Sequence, residues 1–128
     1  MTKGILIAGA ILGFLAVILG AFGAHALKNA IDAEAIKTFE TGVKYQMYHA
    51  LLLLFVGSTT FLSEGTKNTI MYLVILGVVL FSGSIYGLAT NSLTPFDFKK
   101  IGFITPIGGT LLIVSWGILI YKFVRLKI

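Results

Sequence analysis

The chain has no cysteine. That excludes disulfides, thiol redox chemistry and cysteine-ligated metal sites. Charge is scarce as well. Only 12% of the 128 residues are Asp, Glu, Lys or Arg, where a soluble domain carries about a quarter. Acids are scarcer than bases, five against ten. No nucleophile is paired with a base and no two carboxylates are paired, so the chain reads as a non-enzyme. What it has instead is apolar surface, at 57% hydrophobic residues. A soluble protein of this size cannot bury so much, and the excess must face lipid. The net charge is +5, yet the basic residues stand at the ends of apolar runs. There they anchor helices among anionic headgroups. No basic cluster interleaved with polar residues tracks a phosphate backbone, which argues against nucleic acid as a partner.

The apolar runs set the architecture. Uncharged stretches of 21, 19, 29 and 21 residues lie between Lys3 and His25, Lys44 and Glu64, Lys67 and Asp97, and Lys100 and Lys122. A helix needs about 20 residues to cross the hydrocarbon core. Four spans are predicted, at about 4–24, 45–63, 69–90 and 101–121. Lipid offers the backbone no hydrogen-bond partner, so each run must close its own bonds as a helix. Barrel strands would be about half as long and would alternate polar with apolar residues. The predicted class is therefore all-α, a single transmembrane domain over residues 1–128. Lys3 before an apolar run and Ala24-His25-Ala26 after it resemble a cleavable signal. The run is longer than a usual signal core, and a retained helix is expected.

Residues 25–44 carry their own helical pattern. Ile31, Ala35, Ile36, Phe39 and Val43 fall near one face, and Lys37, Glu40 and Lys44 on another. Asp32 is placed to cap the start, and Glu40 and Lys44 form a favourable i,i+4 pair. This predicts a short amphipathic helix at 32–44, lying on the interface and bending into span two near Gly42. The other reading is that span two begins early. The basic count on the two sides is five against five, so the positive-inside rule is tied. The side with the termini has one acid, Glu64, against four on the other, a lean towards termini in the cytoplasm.

Small residues recur at i,i+4 spacing: Gly9 and Gly13, Ala16 and Gly20, Gly83 and Gly87. Gly57, Gly108 and Gly109 stand in other spans. Such residues let helices approach closely in lipid. Tight packing follows, but no chemistry.

The polar residues inside or beside the spans are the candidate site: His25, Glu40, Tyr45, Gln46, His49, Ser82, Ser84 and Tyr86. His25 closes the first run and His49 opens the second, so both are expected at one membrane boundary. A metal held by the two histidines and Glu40, a haem between them, or a pH switch are the functional readings. Capping and bridging of helices through backbone carbonyls or Gln46 is the structural one, and it is favoured. Gln46 is expected to face another helix, with Ser82, Ser84 and Tyr86 as partners, because an amide near lipid needs one. Tyr45 and Tyr48 suit interfacial anchoring. No cofactor and no metal centre is assigned.

Gly20-Ala-Phe-Gly-Ala-His-Ala-Leu27, Thr41-Gly-Val-Lys-Tyr-Gln-Met-Tyr-His49, Leu80-Phe-Ser-Gly-Ser-Ile-Tyr86 and Thr105-Pro-Ile-Gly-Gly109, with Trp116, touch all four spans. Together they resemble the small inner-membrane family typified by bacterial YgdD and YwdK, a family of unknown function. The resemblance implies a four-helix integral membrane protein of the bacterial inner membrane and no known reaction. The expected function is a non-enzymatic accessory or assembly component that binds a membrane partner, a larger complex or a further copy of itself, or lipid. The alternative is a minimal carrier with a polar site near His25, Gln46 and His49.

Overall fold

Each apolar run folds as the bilayer requires, and polar caps mark where the second and third helices start. The computed structural model describes residues 2–127, apart from the side chain of Ala24. Helix α1 spans Thr2–Leu27, with a π turn at Leu19–Gly23. Helix α2 is Ala33–Ser58, α3 is Glu64–Ala89 and α4 is Ile104–Val124. Two 3₁₀ turns, Asn91–Leu93 and Phe98–Ile101, lie between α3 and α4. Asp32 caps α2 as expected, its carboxylate accepting from the Ala35 amide at 2.7 Å. Ser63 caps α3 by accepting from the Thr66 amide. Pro106 falls in the first turn of α4, where its missing N–H costs nothing because those amides have no partner in the helix. In the loop after α3, Asn91 accepts from the Phe98 amide at 2.7 Å, and Phe98 seats its ring on Gly87.

Three helices, α1, α3 and α4, are long and apolar enough to cross a membrane. Chain continuity takes α2 across too. Thr2 Oγ1 donates to Glu64 Oε1 at 3.0 Å, so α1 and α3 start at the same end. Helix α2 must run from the end of α1 back to the start of α3. It is more polar than the others because Lys44, Tyr45, Gln46, Tyr48 and His49 interrupt it. At 1.5 Å per residue, a 26-residue helix is about 39 Å long, beyond the ~30 Å hydrocarbon core. The extra turns stand among headgroups.

One expectation is corrected here. Residues 32–44 are not a separate interfacial helix, and the helix runs unbroken through Gly42. They are the opening turns of α2. Their apolar stripe meets helices where the bilayer surface was expected. Phe39 is buried, with its ring 5.1 Å from Tyr86. Gly42 lies under Tyr86 and Ile85, so its lack of a side chain serves packing.

The core draws on every helix. Ile5, at 0% exposure, places α1 firmly in it, with Leu53, Val56, Ile70, Val74, Leu112 and Leu119. Glycines set the closest approaches. Gly9 lies against Ala50 and Leu53, Gly57 against Leu6, and Gly108 against the backbone of Gly77, Leu80 and Phe81. Gly83, half of an expected small pair, has nothing within 4 Å of where a side chain would start.

Candidate functional site

Because α2 starts at Ala33, its polar residues are deeper than the run lengths implied. Gln46 lies 13 residues from the start of the helix and 12 from its end. His49 is one turn further on. Both stand well inside the helix. Both are buried, at 4% and 3% exposure. A polar group in lipid must be matched by another, and these are.

Gln46 bridges two helices. Its Nε2 donates to the Leu12 carbonyl of α1 at 2.9 Å, and its Oε1 accepts from the Tyr86 hydroxyl of α3 at 2.6 Å. One turn away, the buried Ser82 hydroxyl donates to the Gly42 carbonyl at 2.8 Å. Ser84 donates to the Phe81 carbonyl. Its oxygen also meets the Thr105 hydroxyl and ties α3 to α4. The partners expected for Gln46 are thus divided: Tyr86 takes it, while Ser82 and Ser84 bond elsewhere.

His49 turns to the fourth helix. Its Nδ1 lies 2.7 Å from the Tyr45 carbonyl, one turn back. A carbonyl only accepts, so Nδ1 carries the proton. That leaves Nε2 as the acceptor for the indole N–H of Trp116, at 3.1 Å. The pair of bonds specifies the neutral tautomer and occupies both ring nitrogens. A ligand at Nε2 would have to displace Trp116. Tyr45 contributes its carbonyl here, and its ring packs 5.1 Å from Phe81.

The structure does not bring His25 and Glu40 to this site. Both are exposed. Gly23 packs on Phe39, so His25 sits near that level of α2, and His49 is ten residues, about 15 Å of helix, beyond Phe39. Among the described residues no three His, Asp or Glu side chains are grouped to hold a metal ion. Sequence reasoning did not assign Trp116 a partner. Its position was the signal: a tryptophan well inside a span, away from the headgroup belt, must satisfy its N–H in the bundle.

The polar groups thus form a set of cross-helix ties around α2. Among the described residues, Asn68 Oδ1 is the one buried side-chain atom without a hydrogen-bond partner. A family model described as a protein of unknown function (DUF423) matches residues 19–109. The chain belongs to the DUF423 family. That match runs from the π turn of α1 into the first turns of α4 and contains His25, Glu40, Tyr45, Gln46, His49, Ser82, Ser84 and Tyr86, with Leu12 and Trp116 outside it. Relatives extend the likeness to both ends. The chain is 42% identical to a UPF0382 membrane protein of Staphylococcus saprophyticus, over 92% of this chain and 94% of that one. It is 41% identical to the membrane protein YwdK of Bacillus subtilis, over 96% and 98%. It is 38% identical to the inner membrane protein YgdD of Escherichia coli, over 98% and 93%. No solved structure matches. As a DUF423 membrane protein, the chain has its helical bundle in contact with the lipid bilayer.

In this DUF423 chain the His49–Trp116 bond has its own reporter, because Trp116 is the single tryptophan. His49→Leu is expected to shift Trp116 emission to shorter wavelength, since the indole loses its acceptor. Trp116→Phe is expected to lower stability by about 1–3 kcal/mol, because the buried Nε2 of His49 is left without its donor. An unchanged emission maximum in His49→Leu would show that the two rings are not bonded.

Proposed function

We propose that this protein is a non-enzymatic accessory or assembly component of the bacterial inner membrane, which acts by binding a membrane partner or lipid. One observation carries the reading: the interior polar groups are spent on each other. Gln46, His49, Ser82 and Tyr86 all bond to partners in the bundle. This leaves the recognition chemistry to the outer faces. On α1, Ile7, Ile11, Phe14 and Val17 are exposed. Beside them a groove of about 400 Å³ has a floor of Gly9, Gly13 and Ala50. Small residues under large apolar ones suit a close-packed partner helix. The minimal-carrier alternative has less support, since His25 lies apart and both nitrogens of His49 are engaged. Termini in the cytoplasm are supported by the scarcity of acids at their end, Glu64 alone against Asp32, Glu34, Glu40 and Asp97 at the other, the basic count being equal.

The test is photo-cross-linking in native membranes from probes at positions 11, 14 and 17, followed by gentle purification and mass spectrometry. A discrete adduct, with another protein or a second copy, is expected from these positions. Recovery of the uncross-linked monomer alone from all three would overturn the assembly reading.

A further inference from the structure

Where α3 begins and α4 ends, the surface opens into a groove of about 790 Å³. Its wall along the bilayer is apolar, formed by Val114, Gly117 and Ile118. Towards the helix ends it carries Thr66, Tyr121 and Lys122. A smaller hollow of about 310 Å³ adjoins it, shares these three residues and adds Arg125. The two cations gather at one ring. Lys122 Nζ is 5.9 Å and the Arg125 guanidinium carbon 5.4 Å from the Tyr121 centroid. Thr66 lines both hollows and is only 8% exposed. Its hydroxyl accepts from Ser63 at 3.0 Å. Among the described residues no acceptor takes its own proton, and a buried O–H calls for one. The acid at this end, Glu64, is engaged by Thr2 of α1.

We propose that this groove binds one anionic phospholipid. Phosphate oxygens accept from Lys122, Arg125 and the Thr66 hydroxyl, and an acyl chain lies along Val114, Gly117 and Ile118. Cations at a transmembrane helix end attract acidic headgroups. Charge alone would hold any anionic surface. The buried donor and the apolar wall below it select a single lipid over a soluble phosphate. The site deepens the lipid half of the function proposed above and rests on that half alone.

The test uses the full chain in mild detergent, offered phosphatidylglycerol, phosphatidylcholine or glycerol phosphate, with bound molecules counted by native mass spectrometry. One phosphatidylglycerol per chain is expected, retained in preference to phosphatidylcholine. Lys122→Gln with Arg125→Gln should lower retention roughly thirtyfold, the effect of two basic groups at a membrane surface. Gly117→Leu should lower it with the cations intact, and it should fold, because nothing lies within 4 Å of a Cβ there. Lys3→Gln with Lys127→Gln, at the same end but outside the groove, should leave retention unchanged. Equal loss in that control pair would reduce the site to diffuse attraction and overturn the proposal. So would equal retention of phosphatidylcholine, or glycerol phosphate binding as well as the lipid. None of these results touches the cross-linking outcome, so the two readings fail separately.

Discussion

Gly108→Ala is expected to lower the unfolding free energy of the bundle by about 2–3 kcal/mol, at the upper end of the usual range for overpacking. A Cβ at position 108 would stand 2.8 Å from the Gly77 carbonyl oxygen and 2.8 Å from the Leu80 carbonyl carbon, and closer still to the Phe81 amide nitrogen. These are backbone atoms. No rotamer change relieves the clash, so α3 and α4 must separate along their contact. Gly77→Ala should cost less, because its nearest obstacle is the far end of the Leu112 side chain, at 2.7 Å. Gly83→Ala and Gly117→Ala should be neutral or stabilising by up to about 1 kcal/mol, since both positions are open and alanine favours the helix. Thermal or denaturant unfolding in one detergent orders the four variants. If Gly108→Ala unfolds with Gly83→Ala, the two helices do not touch through their backbones.

Gln46→Leu is expected to cost about 1–3 kcal/mol. The substitution fills a similar volume but strands the Tyr86 hydroxyl, and a buried group without its partner carries its full desolvation penalty. Water cannot take the place of Gln46 at this depth. Tyr86→Phe should cost less, because Gln46 keeps its bond to Leu12. The double variant should be more stable than the sum of the two losses predicts. The coupling expected is about 0.6 kcal/mol, up to ~1.7, the range for side-chain bonds within membrane bundles. Strict additivity would show that the two side chains do not interact.

Both predictions turn on contacts that the sequence pointed towards without locating. The i,i+4 spacing of Gly83 and Gly87 looks like that of Gly9 and Gly13. Yet Gly9 meets α2, Gly87 meets a loop phenylalanine and Gly83 meets nothing. Spacing fixes which residues share a helix face, while the neighbour of that face is fixed by the bundle. The same limit explains residues 32–44. An apolar stripe of that kind has one pattern whether it lies on lipid or against another helix. Phe39 and Gly42 found Tyr86, and the expected interfacial helix became part of α2. That extension moved His49 from a supposed boundary to the interior, which separated it from His25 and brought it to Trp116. Gln46 was read correctly as facing another helix. Three polar groups on α3, Ser82, Ser84 and Tyr86, were within its reach on paper, and helix register chose Tyr86.

The sequence by itself determined that this chain is a bundle of apolar helices in a bilayer. That followed because lipid forces every spanning backbone to satisfy its own hydrogen bonds, so the length of the uncharged runs is enough to count them. It also determined that the buried polar side chains must be paired. Which groups they pair with was decided only by the tertiary structure. A hydrogen bond needs its atoms within about 3 Å, and that depends on the depth and rotation of one helix against the next. Glycines at 42, 77 and 108 set those positions through contacts between residues distant in the chain.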